Sequence, residues 1–111
     1  MSAVPGTAHA VFTEVAHLDD LTVGRPHGVV IEDRPICILR TSNEVLAFDD
    51  RCPHRGHPLS AARCHNGVLR CALHGWEFSI PDGEAVSPRA PFGLSFLEVQ
   101  VDDNDVVSVR L

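Results

Sequence analysis

The chain has 111 residues, 44% of them hydrophobic and 22% charged, with a formal net charge of −6. That length suits one globular domain, read here as residues 1–111, and leaves no room for a second. No run approaches the length of a membrane span, and the acidic balance argues against nucleic acid as a partner, which needs a basic footprint. The same balance fits a chain steered toward a basic protein surface.

In chain order, residues 1–10 form a small, polar lead-in with Pro5 and Gly6. They lack a basic flank ahead of an apolar core, so no secretion signal is expected and a cytoplasmic location is the default. Val11 to Val15 alternates as a strand does, and Leu18 to Leu21 can cap a single helical turn. Gly28 to Ile31 and Ile36 to Arg40 are β-branched runs divided by a turn-like insert, Glu32 to Pro35. Ser42-Asn43 then turns the chain into Glu44 to Phe48, predicting a second hairpin.

Residues 50–93 differ. They hold Gly56, Gly67, Gly75, Gly83 and Gly93 together with Pro53, Pro58, Pro81, Pro88 and Pro91, a density that predicts tight loops in place of a conventional core. Beyond them, Leu94 to Val101 and Val106 to Leu111 read as closing strands around a polar turn, Asp102 to Asp105, with Phe96, Val99 or Val101 set against Glu98 and Gln100. The pattern is all-β, a small antiparallel barrel or sandwich into which a two-loop subdomain over about residues 50–93 is inserted.

Four cysteines without a secretion signal point to metal chemistry or catalysis, not to a disulfide framework. Two short motifs carry that chemistry: Cys52-Pro53-His54 and Cys71-Ala72-Leu73-His74, with 16 residues between His54 and Cys71. Two such loops side by side offer two thiolates and two imidazoles. A tetrahedral zinc accepts that set, and so does a [2Fe–2S] cluster in which two histidines replace two cysteines on one iron. Zinc fingers commonly pair Cys with Cys and His with His, whereas each motif here mixes the two. Mixed pairs let each loop give its Cys to one iron and its His to the other, which favours iron–sulfur.

The segments Cys52-Pro53-His54-Arg55-Gly56 and Cys71-Ala72-Leu73-His74-Gly75-Trp76-Glu77-Phe78 resemble those of Rieske-type ferredoxins and of the Rieske domains of aromatic-ring oxygenases, and the resemblance covers essentially the whole chain. It implies one Rieske [2Fe–2S] cluster per chain, with Cys52 and Cys71 on the buried iron and His54 and His74 on the outer iron through Nδ1. Their exposed rings would be the exit for an electron. The disulfide-forming cysteines of the cytochrome bc-complex type are replaced by His57 and Leu73, its serine donor position by Trp76, and the chain contains no tyrosine. Fewer donors to the sulfurs leave the reduced cluster less stabilised, so the potential is expected toward the low end of the range of roughly −150 to +300 mV.

Gly56 and Gly75 are expected to permit the tight loops and amide-to-sulfur hydrogen bonds. Pro88-Arg89-Ala90-Pro91 resembles the family's covering loop. Trp76 and Cys37 read as packing, and Cys64-His65 reads as part of a hairpin turning away at Asn66-Gly67, while His9, His17 and His27 carry no signal. The implied role is that of a low-potential ferredoxin, a monomer and not itself an enzyme, carrying single electrons from a flavin-dependent reductase to an oxygenase component. The alternatives are a small Rieske subunit of a complex such as nitrite reductase, and a zinc-binding interaction module.

Overall fold

The computed structural model describes residues 11–53, 56, 58–72 and 75–111. The expected lead-in lies outside them. The described residues form eleven strands: β1 (Phe12–His17), β2 (His27–Ile31), β3 (Arg34–Arg40), β4 (Val45–Asp49), β5 (Arg63–His65), β6 (Val68–Arg70), β7 (Glu77–Ser79), β8 (Glu84–Ser87), β9 (Arg89–Gly93), β10 (Phe96–Val101) and β11 (Val106–Arg110). They form a six-stranded sheet in the order β1-β11-β10-β4-β3-β2 and a five-stranded sheet β5-β6-β7-β8-β9, with antiparallel pairing throughout.

The larger sheet curls around one apolar core. Ile36 and Ile38 of β3, Ala47 of β4, and Val107 and Val109 of β11 are buried there, and Val15 of β1 and Val29 of β2 pack on the same core. Strands from both edges of the sheet therefore meet one interior, which is what gives the all-β chain its barrel-like form.

β3 explains how the second sheet attaches. Ile36, Cys37, Ile38 and Leu39 are all fully buried. Successive side chains of a strand point to opposite faces, so a continuous buried run means cover on both sides. Ile36 and Ile38 enter the barrel core, while Cys37 and Leu39 join Phe48, Leu59, Leu69 and Phe78 in a second core beneath the smaller sheet. Segment 50–93 is thus not merely loops: β5 to β7, of three residues each, supply Leu69 and Phe78 to a core of their own.

Local chemistry fixes the turns. Ile31 pairs with Arg34, leaving Glu32 and Asp33 as a two-residue hairpin loop with φ of +51° and +66°, so the turn is shorter than the expected Glu32–Pro35 and Pro35 sits in β3. Asn66 (φ +53°) and Gly67 (φ +76°) turn the β5–β6 hairpin in the same way, with the Asn-Gly pair that this geometry favours. The single helical turn at Leu18–Asp20 forms as expected. Its cap is a surprise: His17 accepts the Asp19 N–H at Nδ1, and Asp20 accepts the His17 N–H. In β10, Leu97 and Val99 face the barrel core, whereas Phe96 stands edge-on to Phe48 with ring centres 5.9 Å apart. Phe96 and Val99 differ in parity along a strand and cannot share a face; Phe96 belongs to the junction between the sheets.

Candidate metal centre

Cys52 follows β4, and Cys71 follows β6. Both are buried, each 1% exposed, and both belong to the core beneath the smaller sheet. The two loops close alike. The Gly56 N–H donates to the Cys52 carbonyl at 2.7 Å, and the Gly75 N–H to the Cys71 carbonyl at 3.0 Å. Each glycine has a left-handed backbone, φ +75° and +70°, which explains glycine four residues after each cysteine. The tight loops expected of Gly56 and Gly75 are thus closed through a cysteine carbonyl in each case.

The loops are braced differently. At the base of the first, Asp50 accepts the Ser60 N–H at 2.6 Å and the Ser60 hydroxyl at 2.7 Å. Ser60 lies in a short 3-10 turn, Leu59–Ala61, whose Leu59 is buried in the core. This turn packs on β2 at Gly28, where a Cβ would stand 2.8 Å from the Ser60 Cβ. Nearby, Arg34 donates through Nε and Nη2 to Asp49 Oδ1 at 3.1 and 2.9 Å.

The second loop is held from its far side. The Cys71 N–H donates to the Trp76 carbonyl at 2.8 Å. The Trp76 ring stacks on Phe92 of β9, with centres 5.5 Å apart and planes 11° apart. Pro88 to Pro91, expected as a covering loop, form the turn and first residues of the β8–β9 hairpin. Arg70 leans over Gly75, its Nη2 only 3.1 Å from where a Cβ would lie.

Of the four expected ligands, Cys52 and Cys71 are brought into one buried core, and His54 and His74 lie outside the described residues, as does His57. The fit to a [2Fe–2S] cluster rests on the cysteines: two buried sulfurs, one per loop, on two backbones closed by the same hydrogen bond. Cys37 is a buried small hydrophobe, as expected. Burial, then the Asp50 carboxylate, push its thiol from an ordinary 9.0 up to about 12, with a backbone hydrogen bond from His27 opposing. Cys64 packs on the same core, and burial raises its thiol too. Cys64 and His65 are consecutive in a strand and face opposite ways, so they cannot close on one ion. Asp50, Ser60, Gly28 and Phe92 carried no sequence signal, save that a glycine inside a strand can mark close backbone approach.

Comparison with known proteins agrees with this geometry. The family model for the Rieske [2Fe-2S] domain matches residues 11–105. Over 80 residues, 69% of this chain, the sequence is 39% identical to pheophorbide a oxygenase of Oryza sativa subsp. japonica, of which the match spans only 15%. It is 27% identical over 78 residues to the ferredoxin component of the alkene monooxygenase system of Xanthobacter autotrophicus, covering 69% of this chain and 64% of that protein. A chain in the solved complex of reduced oxygenase and oxidized ferredoxin of carbazole 1,9a-dioxygenase superposes with a TM-score of 0.79 at 25% identity, covering 90% of this chain and 93% of that one. Among the described residues no helix is long and apolar enough to cross a membrane.

Proposed function

The chain belongs to the Rieske [2Fe–2S] domain family, and on that premise we propose that it is a ferredoxin, one domain over residues 1–111, carrying single electrons from a flavin-dependent reductase to an oxygenase component. The bound cluster supplies a one-electron couple. Cys52 and Cys71 would hold it as thiolates from within the core, and His54 and His74 would supply the two imidazoles. The observation that carries this reading is the pair of identically closed loops that bury one cysteine each in a shared core. Gly56 and Gly75 close those loops in left-handed conformations with a hydrogen bond each, which suits a carrier whose charge must change with little rearrangement. With no tyrosine in the chain, few hydroxyls are available to the sulfurs, and the potential lies toward the low end of the Rieske range.

A second reading has its own support: the higher identity to an oxygenase suits a Rieske domain that works inside a terminal oxygenase. Both readings require a cluster. Purified protein should be red-brown, hold about two irons and two sulfides per chain, and show the EPR signal of a mixed-ligand cluster when reduced. His54→Cys and His74→Cys should each lower the potential. Colourless protein with one zinc overturns both readings. Transfer of electrons from a flavin reductase to a separately purified oxygenase selects the ferredoxin; failure of that transfer by a normally reducible protein selects the oxygenase domain.

A further inference from the structure

The net charge of −6 is unevenly divided. Residues 50–93 carry five arginines against four carboxylates, and the remainder four arginines against eleven carboxylates. The acidity therefore sits on the barrel, and the part bearing the cluster loops is slightly basic.

Three arginines make this local. Arg63 of β5 and Arg70 of β6 are directly opposite in register, so their side chains share a face as like charges, an arrangement that ordinarily destabilises a sheet. Glu77 of β7 is the next residue in that row, yet Arg70 leans over Gly75 and forms no ion pair with it. Arg63 and Arg70 line a cleft of about 460 Å³ that runs to Cys71 and Ala72. Arg63 also lines an adjoining cleft of about 520 Å³ with Arg25 and His65. Ala61 is common to both, and neither is lined by a carboxylate; Asp20 lies in the next cavity, beyond Arg25. All three arginines are exposed. None pairs with a carboxylate among the described residues, where Arg34 and Arg110 do and Arg40 is bound to backbone carbonyls.

We propose that the Arg25–Arg63–Arg70 groove, leading to the second cluster loop, docks an acidic surface of a redox-partner protein. This rests on the electron-carrier reading. It reverses the expectation drawn from net charge, because a partner approaching the loops meets this local field before that of the barrel. Unpaired arginines in an open groove offer forked donors matched to carboxylates. A basic groove ending at Cys71 and Ala72 would hold an acidic partner beside the start of the second cluster loop.

The test uses the cluster-loaded protein, reduced and mixed in a stopped-flow cell with ferricyanide, which takes one electron to become ferrocyanide. Despite the −6 charge, the rate should fall as ionic strength rises. Arg63→Glu should lower it by about tenfold at low salt. Ser42→Glu/Asn43→Glu changes net charge equally in a turn that lines neither cleft, and should leave the rate within a factor of two or so. Fluorescein-labelled poly-L-glutamate, followed by anisotropy, should bind the wild type and not Arg63→Glu. A ferricyanide rate that rises with salt, or that responds equally to both variants, overturns the proposal. So does a salt-sensitive rate without poly-L-glutamate binding, which would mark a site for small anions only. A protein that lacks the cluster spectrum would instead refute the carrier reading, and Arg63→Glu retains that spectrum if it is folded.

Discussion

Ser60 donates twice to one carboxylate, with its N–H to Asp50 Oδ1 and its hydroxyl to Asp50 Oδ2. The two residues stand on either side of the first cluster loop, so a single side chain closes residues 51–59 at the base. Hydrogen bonds to charged acceptors contribute about 1.5–3 kcal/mol each, less where water competes. Asp50→Ala is expected to cost about 2 kcal/mol in urea unfolding and to hasten bleaching of the cluster-loaded protein. Ser60→Ala keeps the backbone bond and should cost about half as much. Equal midpoints for wild type and Asp50→Ala would show that the loop is held by something else.

Gly28 tests the same junction from β2. A Cβ there would stand 2.8 Å from the Ser60 Cβ, 2.9 Å from its Oγ and 3.2 Å from Asp50 Oδ2. Gly28→Ala should therefore lose about 1–3 kcal/mol by overcrowding, although alanine usually suits a strand better than glycine. A melting temperature at or above that of the wild type would contradict the close approach.

The β2–β3 turn offers a gain. Glu32 and Asp33 hold φ of +51° and +66°, a region that costs an ordinary residue about 1 kcal/mol. Replacing them with Asn-Gly supplies the residues that two-residue hairpins prefer. Glu32→Asn/Asp33→Gly should raise stability by about 1 kcal/mol in thermal melts, with the cluster spectrum unchanged.

Cys37 gives a pH dependence of defined sign. Its folded thiol is pushed up to about 12 from an ordinary 9.0, so above pH 9 the unfolded chain releases a proton that the folded chain keeps. Stability is then unaffected below about pH 9 and falls as pH rises toward 12, with a limiting slope of about 1.4 kcal/mol per pH unit. Cys37→Val should flatten that decline. Asp50→Ala should weaken it, because it removes the second cause of the shift. An identical alkaline slope in Cys37→Val would assign the loss to other groups.

The sequence made the barrel readable where strands are β-branched runs, as in Ile36 to Arg40, or alternate, as in Val106 to Leu111. It made the metal loops readable because Cys-x-His and Cys-x-x-His are chemically distinctive over three or four residues. The smaller sheet was hidden. Strands as short as Arg63–His65 and Glu77–Ser79 show no periodicity, and Pro88 and Pro91 read as loop although they lie at an edge hairpin, where proline leaves no ladder bond unmade. The braces were hidden for another reason. The Asp50–Ser60 grip spans ten positions, and its fit depends on Gly28 in a third element. His17 escaped notice because its role is a local cap that serine or aspartate usually fills.

The four consecutive buried residues of β3 tie the fate of the two cores together. A register slip of one residue would send Cys37 and Leu39 into the barrel and expel Ile36 and Ile38 from it, so neither core tolerates an error in the other. Local opening of one sheet would strip one side of the strand that completes the second. The chain should accordingly melt in a single cooperative transition, and amide exchange should be slowest at Ile36 to Leu39. Loss of iron would then register far from the loops, as faster exchange on the barrel side of β3.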